Sequence, residues 1–439
     1  METEHGAEES EETGELKKGI FATLLEILFY PDKSFHYLMF TSLCMSVQYY
    51  CLTFLIPLYF TVEFGYSDLE AGVIFGLFGV FVGIFSLVFS YFIYQVSLKR
   101  GLLLSVGLGV VGFGLLVFNE KYSSLVGILF EAASCSIAWP YLEYGIKVYS
   151  SDSHRFLCSS LYFISIYTAG VISGIFIDSL NEIFQGGKAV FTVIYLICIV
   201  SLLIAGVFIL MCSEIYMRKK HKKETIEGFS NKTKFFKFFS LILILISLRT
   251  TCFGHFDATL PKYIQRVHGK NSKFGFFISI HSTIMILNIF LCTKLTEWFS
   301  NPSLIIFGNC LAVFGTLPLA FSNSYLAFAA FVIGTSFGEA ILAPRLLDYT
   351  YFIAKDKQEG VYLALSSLPF YFAMIGTGIS SGEELEKFCP EKGENCNFVW
   401  KLNFLFSLLE LFLFICVKKW VFEREVEQEL IELVKIEEK

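Results

Sequence analysis

Charge and proline are scarce in this chain, and catalytic signatures are missing. Asp, Glu, Lys and Arg make up 17% of the 439 residues, and only nine prolines interrupt them. Soluble domains carry about 25% charged residues, so a water-facing exterior is excluded for most of the chain. There is no Gly-rich phosphate loop ending in Lys-Ser/Thr, no H-E-x-x-H pair and no nucleophile elbow. An enzyme is therefore not expected, and neither a cofactor, a metal site nor a nucleic-acid partner. A basic segment leading into an apolar one is also lacking at the start, where Glu2, Glu4, Glu8, Glu9, Glu11, Glu12 and Glu15 crowd the first 15 positions. No cleavable signal peptide is expected.

What is present is apolar. Hydrophobic residues make up 55% of the chain, 50 residues are Phe, and mean hydropathy is +0.62. A membrane-spanning helix needs about 20 mainly apolar residues. Runs of that kind fall near 37–62, 69–96, 101–118, 123–147, 157–179, 189–212, 237–261, 274–297, 303–321, 326–350, 360–380 and 399–417. They predict an all-α membrane protein with twelve transmembrane helices.

The chain also contains itself twice. Pro57, Tyr59 and Gly65 reappear 204 residues later as Pro261, Tyr263 and Gly269, and Pro140 reappears as Pro344. The ungapped stretch 140–175 matches 344–379 at Leu142/Leu346, Asp152/Asp356, Tyr167/Tyr371 and Gly174/Gly378, among others. A long-period repeat of hydrophobic segments predicts two six-helix bundles, as in secondary transporters. The expected order is an acidic N-terminus (1–34) with an interfacial helix, a first bundle (35–212), a basic linker (213–236), a second bundle (237–418) and a C-terminal helix (419–439). With both termini cytoplasmic, 23 of the 34 Lys and Arg fall on the cytoplasmic side, as the positive-inside rule asks. The cluster Lys262, Arg266, Lys270 and Lys273 argues the other way. Trp298, Trp400 and Trp420 fall at span ends, where indoles favour the interface. Ten of the twelve Cys are scattered through apolar segments and read as packing residues; Cys389 and Cys396 share a polar loop and form a candidate disulfide.

Ionisable groups in hydrocarbon are costly and mark function by default. Here they sit on span 4 (Glu131, Glu143, Lys147), span 7 (Arg249, His255, Asp257) and span 10 (Glu339, Arg345, Asp348), with Glu410 on span 12. Span count, half repeat, basic central linker and this every-third-helix charge pattern resemble the major facilitator superfamily over about 35–418. That resemblance implies that spans 1, 4, 7 and 10 line a central cavity, and that 3, 6, 9 and 12 face lipid. The superfamily's motif between spans 2 and 3 is eroded to Ser90-Tyr91-Phe92-Ile93-Tyr94-Gln95-Val96-Ser97-Leu98-Lys99-Arg100, where Tyr94 stands in place of an acid. The loop after span 8 keeps an acid, Glu297, for a latching role. A fainter resemblance to proton-coupled oligopeptide transporters rests on Gln48-Tyr49-Tyr50 and Gly338-Glu339, without the acids and arginine their first span carries, which would fall at Ser42, Met45 and Ser46.

The expected central site is Arg249, Asp257 and Glu339 with Tyr49 and Tyr50. Arg249 is either a ligand for an anionic group or half of a permanent ion pair, and Glu339 is either a proton carrier or a neutralised partner. Arg345/Asp348 and Glu143/Lys147 are gate or local ion pairs. Lone histidines such as His255 and His281 read as packing groups. The function expected is secondary active transport of a small polar or anionic solute, with proton coupling as an option, by a monomer in the lipid bilayer. A transport-inactive receptor or scaffold of the same fold stays open as the alternative.

Overall fold

In a computed structural model, the chain describes residues 33–92, 96–150, 155–185, 188–214, 232–270, 272–295, 299, 301–353, 359–390 and 396–421. The expected N-terminal interfacial helix, residues 215–231 of the basic linker, Tyr94, Glu297, Trp298 and the stretch after Val421 lie outside them. All regular structure among the described residues is helical, as lipid requires of a chain that must satisfy its backbone polar groups within each segment.

Twelve helical spans follow one another: α1 Lys33–Phe64, α2 Asp68–Phe92, α3 Leu98–Val117, α4 Lys121–Tyr149, α5 Arg155–Ile183 and α6 Ala189–Met211. The second half begins with α7, which runs in four segments, Lys232–Leu248, Arg249–Phe253, His255–Ala258 and Leu260–His268. It continues with α8 Gly275–Leu295, α9 in two segments (Asn301–Gly315 and Leu317–Phe321), α10 Tyr325–Ile353, α11 Glu359–Phe388 and α12 Asn397–Val421. Ten spans are long and apolar enough to cross a membrane by length and composition. The other two, α8 and α11, pack against α5 and α2 respectively. The end bearing Lys33 and Val421 is called proximal here, and the opposite end distal.

Serine and threonine hydroxyls reconcile polar side chains with this environment by bonding back to the preceding turn. Thr41 donates to Tyr37 O at 2.9 Å, Thr53 to Tyr49 O at 3.0 Å and Thr335 to Phe331 O at 2.9 Å. Large apolar side chains point outward on α6 (Val200, Leu203, Val207) and α12 (Leu405, Leu409, Phe412), two of the spans expected to face lipid.

The repeat has a physical counterpart. The buried Tyr59 hydroxyl bonds Asn119 Oδ1 at 2.9 Å, and the buried Tyr263 hydroxyl bonds Asn323 Oδ1 at 2.6 Å. Both partners are shifted by the same 204 positions, so one tyrosine strut ties the first span of each half to the turn after its third. Trp400 departs from expectation. Although it begins α12, it is fully buried and packs edge-on against Tyr263 at 5.6 Å between ring centroids. Cys389 and Cys396 are bridged between α11 and α12.

The two halves meet most closely along α2–α11 and α5–α8. A Cβ placed on Gly72 would lie 2.0 Å from Gly378 O, and one on Gly174 would lie 2.3 Å from Gly275 O. Only glycine permits backbones this close.

Candidate functional site

Between the halves lies a cavity of about 300 Å³, and Arg249, Asp257, Glu339, Tyr49 and Tyr50 all line it. The structure thus brings together the five residues expected to form the central site. Arg249 is placed by a local irregularity: it opens a π-helical turn, closed by Gly254 N–H donating to Arg249 O at 2.8 Å. Residues eight apart on an uninterrupted α-helix stand about 80° out of line. The wider π turn takes up part of that offset, and both Arg249 and Asp257 reach the cavity. Such turns cost hydrogen-bond geometry and concentrate at functional sites.

The turn is held from behind by Glu410. Its carboxylate accepts hydrogen bonds from the hydroxyls of Ser247 and Thr251, and Ser407 Oγ donates to Thr251 O at 3.1 Å. Glu410 therefore turns inward from a span with a largely lipid-facing surface.

Arg249 Nη2 donates to Glu339 Oε1 at 2.9 Å, and its guanidinium lies 4.4 Å from the Phe370 ring centre. Both partners are largely buried, with side chains 18% and 19% exposed. A charge-assisted contact in such a setting is far stronger than a surface pair, and correspondingly costly to leave half made. The repeat places no such pair at the equivalent positions of the first half. The positions 204 residues earlier are Met45 and Cys135, both buried packing residues.

His255, read as a packing group, is buried and bonds Thr259 Oγ1 at 2.6 Å, and His281, read the same way, is also buried. The His281 ring lines the cavity, with Nε2 4.0 Å from Glu339 Oε2 and Nδ1 2.8 Å from Ser336 Oγ. Ser336 gives its one proton to Val332 O, so Nδ1 must be the donor in that contact. Nε2 is thereby left facing the carboxylate. Nothing in the sequence near His281 announces this placement, because its hydrogen-bond partner Ser336 lies 55 residues away on another helix.

Of the expected ion pairs, Glu143 lines the cavity toward the proximal end, and Arg345 is partly buried on α10. The side chains of Lys147 and Asp348 lie outside the described set, so neither pair is seen. The cavity also takes in Trp139, Tyr162, Tyr167, Phe256, Phe370 and Tyr371. Tyr167 and Tyr371 are themselves a repeat pair.

Distal to the cavity the halves are tied by charges, of which the sequence did not single out the acids Asp68 and Asp178. Asp68, at the start of α2, accepts hydrogen bonds from Lys262 Nζ at 3.0 Å and from Arg266 Nη2. Arg266 also caps α11 by donating to Leu385 O at 3.1 Å and to Cys389 O. On the other side, Asp178 of α5 accepts the N–H groups of Gly275 and Phe276, both at 2.7 Å, at the positive N-terminus of α8. Phe54 meets Phe256 edge-on at 5.3 Å between these ties and the cavity. Lys262 and Arg266, half of the basic cluster that argued against the expected orientation, thus share one carboxylate within the protein.

Comparison with known proteins gives the same architecture. The chain resembles a POT family transporter solved in complex with a thioalcohol-conjugated peptide, with a TM-score of 0.73 and 11% identity over 88% of this chain and 96% of that one. It also resembles a mutant of the nucleoside transporter NupG (TM-score 0.71, 12% identity, 88% and 99% covered). A peptide transporter POT in complex with sulfate is similar at 0.71 and 12%, covering 89% and 95%. No curated protein sequence matches the chain. The profile of the Major Facilitator Superfamily matches residues 38–378, most of the chain and nearly all of its described helices, and the protein belongs to that superfamily.

Proposed function

We propose that this protein is a secondary active transporter that moves a small polar solute by alternating access, with the two halves rocking about the Arg249–Glu339 pair. The observation that carries this reading is the cavity: largely buried ionisable groups from α7 and α10 face aromatic side chains from α1, α4, α5 and α11 around one volume. At about 300 Å³ it sits at the lower end of the ~300–1,000 Å³ typical of ligand pockets, which suits one small solute. The distal ties through Asp68 and Asp178 lie across one mouth, and the lining reaches as far as Glu143 toward the other. This arrangement is one of the two states that alternating access requires. Glu339 lies within reach of both Arg249 and His281, so a proton or solute that takes its charge releases Arg249, and the pair is the natural coupling element.

Proteoliposomes incubated with a metabolite extract and analysed by mass spectrometry test the reading. Transport predicts enrichment of at least one small polar solute over protein-free vesicles. The scaffold alternative predicts none.

A further inference from the structure

We infer that the transported solute carries a cationic amine joined to a small aromatic or apolar body. This deepens the transport reading by assigning the sign of the substrate, and the charge balance of the cavity carries it. Arg249, the one described Lys or Arg on the wall, is already held by Glu339 at 2.9 Å. Asp257, by contrast, has no hydrogen-bond or ion-pair partner among the described residues, and Glu143, exposed at the proximal part of the wall, has none either. An anion would have to pull Arg249 from Glu339 while facing Asp257 across the same small space. A cation meets a carboxylate that no hydrogen bond or ion pair among the described residues engages, and desolvated charge pairs of opposite sign select strongly against the wrong sign.

The rest of the wall suits a cation as well. Tyr49 stands edge-on to Trp139 at 5.5 Å between ring centroids and beside Phe370 at 6.5 Å, while Phe256 and Tyr167 flank His281 at 4.7 and 6.5 Å. Ring faces attract cations through their quadrupole, Trp and Tyr more than Phe. This wall already shows the effect, since the Arg249 guanidinium rests 4.4 Å above Phe370. The acids are staged along the path: Glu143 belongs to α4 toward the proximal side, and Asp257 lies beyond it beside the Phe54–Phe256 closure. An ammonium group would pass the first and settle at the second, with its apolar body among the rings.

Three probes of matched shape test this on the full chain in lipid nanodiscs at pH 7: 2-phenylethylamine, 3-phenylpropanoate and 2-phenylethanol. Thermal stabilisation and quenching of tryptophan fluorescence are read for each. The amine is expected to bind at least about tenfold more tightly than the other two. Asp257→Asn is expected to remove most of that preference, and Glu143→Gln to lower amine affinity less. Equal or tighter binding of the carboxylate or the alcohol overturns the inference, as does failure of the amine to bind at millimolar concentration. If Asp257→Asn does not fold, an amine affinity untouched by Glu143→Gln counts against the inference, and a weakened one supports it. Amine binding without accumulation in proteoliposomes would overturn the transport reading and leave the ligand assignment standing.

Discussion

Arg249 and Glu339 are 90 residues apart and meet at 2.9 Å in the middle of the protein, one from a π-helical turn and the other from an unbroken helix. Removing one partner of a buried pair strands the other charge and typically costs about 3–5 kcal/mol. Glu339→Gln or Arg249→Ala alone should therefore lower thermal stability clearly. The double variant should recover part of the loss, since neither charge is then left alone. Melting curves of the two singles and the double supply the cycle, and strict additivity would mean that the two side chains do not interact.

The distal ties predict where the conformational balance can be shifted. Asp68→Asn leaves Lys262 and Arg266, whose side chains are 5% and 14% exposed, without their carboxylate. Electron–electron distance measurements between spin labels at Lys188 and Lys387, both exposed and both distal, should gain a longer population in this variant. An unchanged distribution would show that Asp68 does not hold the closure.

Lys262 also gives the closure a pH dependence with a defined sign. It lies on the polar segment Leu260–His268, beyond the apolar span Phe236–Ala258. Burial pushes its ammonium down to about 8, and Asp68 offsets this only in part. In a distally open state the group would return toward its ordinary 10.5. The closed state then binds fewer protons between these values, so raising the pH through that window favours closure. The same spin-label pair should lose, not gain, its longer population from pH 8 to pH 10.

Close backbone contact makes another prediction. With Gly378 O only 2.0 Å from a Cβ built at Gly72, Gly72→Val cannot be accommodated without separating α2 from α11. The variant should fold and disfavour distal closure, seen as raised reactivity of distal engineered cysteines. Wild-type reactivity would mean that the two helices need not approach so closely.

Glu410 is expected to act at a distance. Replacing it by Ala removes the acceptor for Ser247 and Thr251 and should cost about 1–3 kcal/mol of stability. It should also slow transport by loosening the turn that aims Arg249. Glu410→Gln, which keeps one acceptor oxygen, should recover most of both.

The sequence made the helices and the central residues legible for physical reasons. Lipid demands long apolar runs, and a charge within one stands out, so Arg249, Asp257 and Glu339 could be named without coordinates. Tyr59 and Tyr263 were visible as a repeat, but their common strut to Asn119 and Asn323 was not, because a hydrogen bond leaves no periodicity. Asp68 and Asp178 escaped notice since a charge at a helix end looks solvated in sequence, and only the opposite half reveals its partner; Arg266 was visible as part of a basic cluster, but its carboxylate was not. His281 escaped for a related reason: a single histidine carries no signal until Glu339 is placed beside it. The π turn was also hidden, as nothing in Arg-Thr-Thr-Cys-Phe separates it from an ordinary helical segment.

The central claim is that the Arg249–Glu339 site does the work of transport, and it is tested most directly by solute uptake. Proteoliposomes carrying wild type, Arg249→Ala or Glu339→Gln at matched protein density should be compared for the solute that wild type enriches. The account predicts uptake by wild type and loss of most of it in both variants. Uptake at the wild-type level in both would contradict the account.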